Sequence, residues 1–319
     1  ERIRKTLLGR GGVQGLDDAE HKHRKQMFMS LMGPEWIASL VARTAEEWDS
    51  SARAWSLKGE VVLHDELHVL LTRAACAWAG VPLAEPEVEQ RTREITALFD
   101  YAGTVGPKHW WARLARKRSN RWIESIIGDI RDARIHPPEQ SAAHVIAWHR
   151  DLEGELLTPH VAAVELLNVI RPIVAVGVYI TFAAHALHRH PECRRKLQAG
   201  DNASYTESFV QEVRRFYPFF PAVAARVRRE FEWNGYRFPK GRRVLLDLYG
   251  TDHDARSWES PETFQPERFR DWDRSPFSFI PQGGGEYHVH HRCPGEWITI
   301  ELMKLASQVL SKDIQYDVP

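Results

Sequence analysis

The chain has 319 residues, 43% of them hydrophobic and 27% charged, a composition typical of a soluble globular protein with a sizeable core. Its 43 Lys and Arg residues balance its 43 Asp and Glu residues, so net charge gives no general attraction to nucleic acid or to an anionic membrane. The three cysteines, Cys76, Cys193 and Cys293, are far apart and form no CxxC pair, which argues against a disulfide framework and favours a reducing, cytoplasmic location.

Apolar residues recur at helical spacing along most of the chain. This periodicity predicts helices at 2–8, 20–32, 33–55, 65–80, 85–103 and 116–135. Gly80 is expected to end the fourth of them. The basic stretch 107–121 contains two tryptophans, and we expect it to form a solvated face rather than a nucleic-acid site.

A long apolar helix is predicted from Thr158, as N-cap, to Pro191. Its longest uncharged run, 172–187, falls short of the ~18 to 20 residues that span a bilayer, so we expect a buried core helix and no integral membrane segment. Pro172 should remove one helical hydrogen bond and bend the helix. Arg171, just before it, either snorkels to an ion pair or holds an anion within an apolar wall.

The strongest β signal lies at 231–250, where Asn234 and Gly235 stand between alternating aromatic residues and predict a type I′ hairpin. A further helix is predicted at 297–310, near the C-terminal end of the sequence. Because no repeat or linker divides the sequence, it predicts one mainly α domain over 1–319 with a small β-sheet region.

The segment FIPQGGGEYHVHHRCPGE, residues 279–296, holds the most informative cysteine. Taken alone, Cys293 could be a packing thiol, a nucleophile, a haem ligand, or a zinc ligand with His288, His290 and His291. It lies just before a predicted helix, whose N-terminus stabilises a thiolate. Gly295 lets a flat ligand approach the backbone closely.

This segment resembles the haem-thiolate loop of the cytochromes P450. Phe279, Gly283, His291, Cys293 and Gly295 fill the family pattern, although the gap from Phe279 to Cys293 is about twice the usual one. The resemblance implies the cytochrome P450 fold, haem b as cofactor and Cys293 as the axial ligand of its iron.

Three further motifs agree with that family. ESFVQEVRRFYP supplies Glu212 and Arg215 as the ExxR pair, and FQPERFR supplies Arg268, which joins the pair in the family. EHKHRKQMF supplies His21 and Lys25, which match the helix whose basic residues hold a haem propionate. The resemblance therefore implies a structural group of Glu212, Arg215 and Arg268. It also implies a cofactor-binding group, whose members are His21, Lys25, His291 and Cys293.

The long helix indicates the branch of the family. Most cytochromes P450 carry a glycine-rich turn and an acid–alcohol pair there, whereas NVIRPIVAV has Arg171 and Pro172, similar to the bacterial fatty-acid peroxygenases. That branch implies hydroxylation of long-chain fatty acids at the α or β carbon with hydrogen peroxide and no redox partner. The substrate carboxylate, held by Arg171, would act as the acid–base group.

The same resemblance assigns the remaining site residues. Arg171 and Cys293 are the expected catalytic residues, and Arg171, Gln14 and Pro172 the expected substrate-binding residues, with the chain tail in a channel lined by the 8–13 and 219–220 regions. Three alternatives stay open: a fatty-acid decarboxylase of the same branch, a monooxygenase that needs redox partners, and an inactive haem-binding fragment. The branch also has an N-terminal segment and a C-terminal β tail, so the sequence is expected to be truncated at both ends.

Overall fold

The computed structural model describes residues 2–199 and 203–318. Twelve α-helices occur within them: α1 (Arg2–Leu7), α2 (Asp18–Ser30), α3 (Pro34–Lys58), α4 (Leu63–Ala79), α5 (Val88–Asp100), α6 (Pro107–Arg131), α7 (Ala142–Ala147), α8 (Pro159–Arg189), α9 (Pro191–Gln198), α10 (Ala203–Phe216), α11 (Leu248–Asp252) and α12 (Glu296–Gln308). The predicted mainly α fold with a small β region is confirmed.

Within the described residues, four short strands form two separate two-stranded antiparallel sheets. Strand β1 (Ala222–Arg226) pairs with β4 (Arg243–Asp247), and β2 (Phe231–Trp233) pairs with β3 (Tyr236–Phe238). Asn234 and Gly235 both have left-handed φ angles, 49° and 75°, as a type I′ turn requires, so the predicted hairpin is confirmed. The β1–β4 pair was not predicted, because AVAAR in β1 lacks apolar alternation.

Helix α8 is the centre of the core and packs against α4, α6 and α12. It begins as predicted: Thr158 Oγ1 accepts a hydrogen bond from the Val161 N–H at 3.3 Å, and Pro159 is the first helical residue. The helix continues through Pro172 without a break. Among the described residues α8 alone has the length and apolarity of a membrane span, but 83% of its most apolar window is buried within the protein.

The basic stretch 107–121 is helical throughout, whereas the apolar periodicity predicted a helix only from residue 116. It forms the first half of α6, because Gly106 turns the chain with a φ of 72° and Pro107 starts the helix. Most of its charged side chains are exposed, but Arg116 points inward and is buried. Helix α6 therefore places one arginine against the core, a feature that periodicity alone did not reveal.

Candidate functional site

The loop before α12 closes on itself around Cys293. The Cys293 N–H donates to the Gln282 carbonyl at 3.1 Å, and Gln282 Nε2 lies 3.7 Å from Cys293 Sγ. The same amide nitrogen donates to Thr299 Oγ1 in α12 at 3.1 Å. The half-buried sulfur is thus fixed at the N-terminal end of α12.

Groups around this sulfur shift the pKa of the Cys293 thiol in both directions. Burial raises the pKa of the Cys293 thiol and the Glu296 carboxylate raises it further, while the Gly295 N–H, Lys25 and Arg214 act in the opposite direction. A coordinated metal ion would lower the pKa of the thiol far more than these neighbours raise it, because a coordinating thiol loses its proton. The site therefore suits a cysteine that acts as a metal-bound thiolate rather than as a free nucleophile.

Beneath the loop, the Glu296 carboxylate binds three side chains. It accepts hydrogen bonds from Arg292 Nε at 2.8 Å and the Tyr287 hydroxyl at 2.9 Å, and it forms a buried ion pair with Arg214 of α10. Arg214 also donates to Gln282 Oε1 at 3.0 Å. These contacts hold both ends of the cysteine loop against α10 and α12.

Basic residues of α2 reach the same loop. Lys25 Nζ donates to the His290 carbonyl at 3.0 Å and to the Arg292 carbonyl, and the ring centroids of His21 and His291 are 3.9 Å apart. Burial lowers the pKa of Lys25 to about 8 and that of His21 to about 4, the latter helped by the ring of His291. At neutral pH Lys25 is therefore charged and His21 neutral. The structure thus brings His21, Lys25 and His291 together beside Cys293.

The ExxR residues and Arg268 also meet. Arg215 Nε and Nη2 donate to the two carboxylate oxygens of Glu212 at 2.7 and 2.8 Å, and Arg268 Nε donates to Glu212 Oε1 at 3.3 Å. Arg215 further donates to the Asp252 carbonyl at 3.0 Å, and Asp252 Oδ1 accepts from the Ile280 N–H at 2.8 Å. The buried network therefore extends from α10 to the start of the cysteine loop.

Replacing Glu212 with alanine should destabilise the protein by about 3 to 5 kcal/mol, because two arginines then lose their buried partner. Urea-induced unfolding measures this loss. Glu207→Ala in the same helix is the matched control: Glu207 pairs with Lys304 at 2.6 Å but is only half-buried, and a pair of that kind contributes about 1 kcal/mol or less. Equal losses in both variants would contradict a special structural role for Glu212.

Arg171 lies in α8, close enough to Cys293 to be influenced by its charge. Its side chain is 5% exposed, and its Nε has no hydrogen-bond partner among residues 2–199 and 203–318. Burial lowers the pKa of Arg171 to about 10, while the charge of Cys293 acts in the opposite direction. The guanidinium therefore remains charged at neutral pH. A buried cation without a partner is a strong candidate for binding an anion.

Of the two other expected substrate residues, one adjoins Arg171 in sequence and the other contacts α8 one turn away. Pro172 is half-buried next to it in α8, and Gln14 is exposed in a short 3₁₀ turn, Val13–Gly15. Asn168 Nδ2 donates to Gln14 Oε1 at 3.3 Å, so this turn is tied to α8 one turn before Arg171. Sequence reasoning missed Asn168, although its spacing from Arg171 places both on one helix face.

Comparison with known proteins agrees with this geometry. A family model described as Cytochrome P450 matches residues 185–311. The structure of cytochrome P450SP alpha (CYP152B1) in complex with (R)-ibuprophen is 56% identical, with a TM-score of 0.97 over 100% of this chain and 78% of that one. The chain belongs to the cytochrome P450 family.

Other similar cytochromes P450 carry fatty acids. Cytochrome P450EX alpha (CYP152N1) with myristic acid is 48% identical, with a TM-score of 0.92 over 97% of this chain and 74% of that one. A variant of cytochrome P450 OleT in complex with arachidonic acid is 35% identical, with a TM-score of 0.94 over 100% and 76% of the two chains. This cytochrome P450 is therefore similar over nearly its whole length to two members named CYP152 and to OleT.

Curated relatives match over shorter stretches. Cytochrome P450 71D94 of Mentha gracilis is 33% identical over 141 residues, which are 38% of this chain and 28% of the relative. Cytochrome P450 3A11 of Mus musculus is 28% identical over 156 residues, 43% of this chain and 30% of the relative. The matched region thus spans about a third or less of the curated relatives, whereas the solved CYP152 structures match throughout this chain.

Family membership implies a haem-thiolate cofactor, and the residues of this cytochrome P450 fit one. The loop offers a thiol at a helix N-terminus, with basic side chains of α2 beside it. A zinc centre fits less well, because no group of three or more His, Cys, Asp or Glu side chains that could hold a metal ion occurs in the part of the chain that the structure describes. His290 Nδ1 instead accepts from the Glu286 N–H at 2.8 Å.

The two predicted channel regions do not line one cavity in the part of the chain that the structure describes. A cavity of about 400 Å³ is lined by α1 and the loop that follows it, including Leu8, Gly12 and Gln14. Phe219 is not part of that lining and stacks on Tyr179 of α8, with ring centroids 4.8 Å apart. The 8–13 region thus borders a cavity, while the 219–220 region packs against α8.

Proposed function

We propose that this cytochrome P450 is an oxidoreductase, a peroxygenase that hydroxylates long-chain fatty acids at the α or β carbon with hydrogen peroxide and without a redox partner. The observation that carries this proposal is Arg171, a buried guanidinium without a carboxylate partner among the described residues. The fatty acids bound in the similar CYP152N1 and OleT structures support the substrate class.

The proposed cofactor is haem b, with Cys293 as the axial ligand of its iron and His21, Lys25 and His291 beside its propionates. When bound, the haem supplies the activation of the peroxide O–O bond, which electron donation from a cysteine thiolate favours. Of the three residues proposed to lie beside the propionates, Lys25 is charged at neutral pH, whereas His21 and His291 are neutral rings. These residues of α2 and the cysteine loop would hold the cofactor beside the N-terminus of α12.

Arg171 is proposed to hold the substrate carboxylate through two parallel hydrogen bonds, which its planar guanidinium suits better than a lysine would. The only acidic residue of α8 is Glu165, and its oxygens accept from Arg24 Nη1 at 2.9 Å and Asn168 Nδ2 at 3.2 Å. Glu165 is therefore already bound to other groups. The substrate carboxylate itself is the acid–base group that moves the proton of the peroxide.

Anchoring by Arg171 also explains the position of attack. A carboxylate fixed at one point places the carbons nearest to it in the reaction chamber and leaves the distant methyl end outside. Gln14, tied to Asn168, would border the same chamber and limit how the first carbons lie. Regiochemistry at the α or β carbon then follows from positioning alone.

Turnover of myristic acid and its methyl ester with hydrogen peroxide tests this function. The acid should be oxidised without any reductase, and the ester should react at least about a hundredfold more slowly, because it lacks the acid–base group. Adding a short carboxylic acid should restore part of the reaction of a non-acid substrate such as styrene. Analysis of the products distinguishes hydroxy acids from the alkene that decarboxylation would give.

Equal rates for the acid and the ester would exclude a chemical role for the carboxylate, and with it this mechanism. A requirement for a reductase and its electron donor would instead favour an ordinary monooxygenase. A haem complex that turns over neither substrate under either condition would favour a binding protein without activity.

A further inference from the structure

The cavity lined by α1 and the loop that follows it carries an excess of positive charge. Three of its lining residues are basic, namely Arg4, Lys5 and Arg10, and none is acidic in the part of the chain that the structure describes. Its volume of about 400 Å³ lies within the range of small-molecule binding sites. Three cations around a space of this size raise the local electrostatic potential and concentrate anions there.

This positive charge is local. Residues 2–16 contain four basic residues and no acidic one, although the chain as a whole has a net charge of zero. The next acidic residues along the chain, Asp17 and Asp18, both contact the Arg228 guanidinium, at 3.4 and 2.6 Å. Arg228 therefore offsets much of their negative charge, and neither of them lines the cavity.

The cavity extends from the protein surface to residues that contact α8. Arg10 and Gln14 are exposed at its outer side. At its inner side Gly12 is buried, and a Cβ atom there would lie 2.9 Å from Asn168 Nδ2. The same nitrogen donates to Gln14 Oε1, and Asn168 precedes Arg171 by three residues. One wall of the cavity thus contacts the helix that carries the proposed carboxylate anchor.

Two glycines in left-handed conformation place Arg10 at the mouth of this cavity. Gly9 and Gly11 have φ angles of 85° and 82°, which residues with side chains rarely adopt. A Cβ atom at Gly11 would also approach Val161 Cγ2 of α8 to 3.0 Å. The sequence Gly-Arg-Gly therefore turns the loop close to α8 and leaves the arginine between the two glycines exposed to solvent.

The exposed cations and Arg171 differ in how strongly they can hold a carboxylate. Exposed residues such as Arg4 and Arg10 contribute about 1 kcal/mol or less to an ion pair, because water and salt screen their charge. Arg171 is 5% exposed, and its Nε has no hydrogen-bond partner among residues 2–199 and 203–318. A carboxylate drawn to the cavity would therefore be held only briefly there and more firmly at Arg171.

We propose that this cavity is the entrance for the fatty-acid substrate, and that Arg4, Lys5 and Arg10 attract its carboxylate before Arg171 binds it. This inference rests on the proposed function, because it needs a carboxylate substrate that is finally held by Arg171. The three residues act on the rate of association and not on the chemical step. Attraction of this kind raises association rates by roughly 10- to 1,000-fold at low ionic strength and weakens steeply as salt is added.

Stopped-flow fluorescence with parinaric acid, a fluorescent long-chain fatty acid, measures association with the haem-loaded protein without peroxide. The wild-type association rate should fall roughly tenfold between about 20 mM and about 500 mM NaCl, because the Debye length shortens from about 20 Å to about 4 Å. A variant with Arg4→Gln, Lys5→Gln and Arg10→Gln should associate roughly tenfold more slowly at the lower salt concentration and lose most of the salt dependence. Parinaric acid methyl ester carries no charge and should show little salt dependence with either protein.

Two further variants separate the cavity from general charge and from a structural defect. The combination of Arg43→Gln, Arg53→Gln and Arg195→Gln removes three exposed cations that do not line the cavity, and it should associate nearly as the wild type does. Arg10→Lys keeps the charge and should keep the salt dependence, because steering needs a charge and not the planar fork of a guanidinium.

A wild-type rate with wild-type salt dependence in the triple variant of the cavity would overturn the proposal, as would an equal loss in the control variant. Equal salt dependence for parinaric acid and its methyl ester would also overturn it, because the charge of the ligand would then play no part. Arg171→Gln tests the proposed function separately: it should keep the salt-dependent association and dissociate roughly 10- to 100-fold faster. An unchanged dissociation rate in that variant would contradict the proposed role of Arg171 itself.

Discussion

Replacing Arg171 with glutamine should abolish peroxide-driven oxidation of myristate while the haem stays bound. The variant loses an ion pair that contributes about 1.5 to 3 kcal/mol to binding. It also loses the acid–base group that the bound carboxylate provides, a contribution of about 10² to 10⁴ in rate. The combined loss in kcat/KM should be about a thousandfold or more, measured with peroxide alone and myristate as substrate.

Two further variants test whether the loss comes from the guanidinium of Arg171 itself. Arg171→Lys should recover only part of the activity, since a point charge does not reproduce the two-pronged contact with a carboxylate. Arg189→Gln, a change at the exposed end of the same helix, should leave kcat and KM unchanged. Wild-type turnover in Arg171→Gln would show that the carboxylate is held elsewhere.

Replacing Cys293 with alanine should remove all activity. The reduced carbonyl complex should lose the red-shifted absorption band that marks a bound thiolate, because the sulfur at the N-terminus of α12 is the proposed iron ligand. Cys193→Ala is the control, since that buried cysteine lies in α9, away from the cysteine loop. If Cys293→Ala kept the band, another residue would have to ligate the iron.

Local patterns in the sequence predicted the helices and the signature motifs well. Thr158 with Pro159, Gly80, and Asn234 with Gly235 each specify a backbone conformation through their own chemistry, and all three act as predicted. The group of Glu212, Arg215 and Arg268 could be assembled only through family resemblance, because ExxR alone is common on solvated helices. The structure adds the distances that join these residues.

The contacts that sequence reasoning missed join residues far apart in the chain. Arg214 stands next to the ExxR arginine, yet its ion pair with Glu296 spans 82 residues and has no local signature. Arg116 lies among exposed basic neighbours, and only the packing of α6 against Gly9 reveals that it faces inward. Charge pattern along a helix does not identify which cation the tertiary structure will bury.

The long cysteine loop has a consequence for how such loops can vary in length. A backbone hydrogen bond of 3.1 Å joins its two ends, Gln282 and Cys293, so the residues between them form a closed loop. Closing a loop of twice the length costs only about 0.6 kcal/mol more. The sulfur is positioned by Gln282, Thr299 and the start of α12, none of which lies between the two ends of this closed loop. Insertions at the exposed positions 288 and 289 can therefore accumulate during evolution without moving the sulfur. This holds provided that the hydrogen bond between Gln282 and Cys293 is kept, together with the contacts of Tyr287, His290, His291 and Arg292.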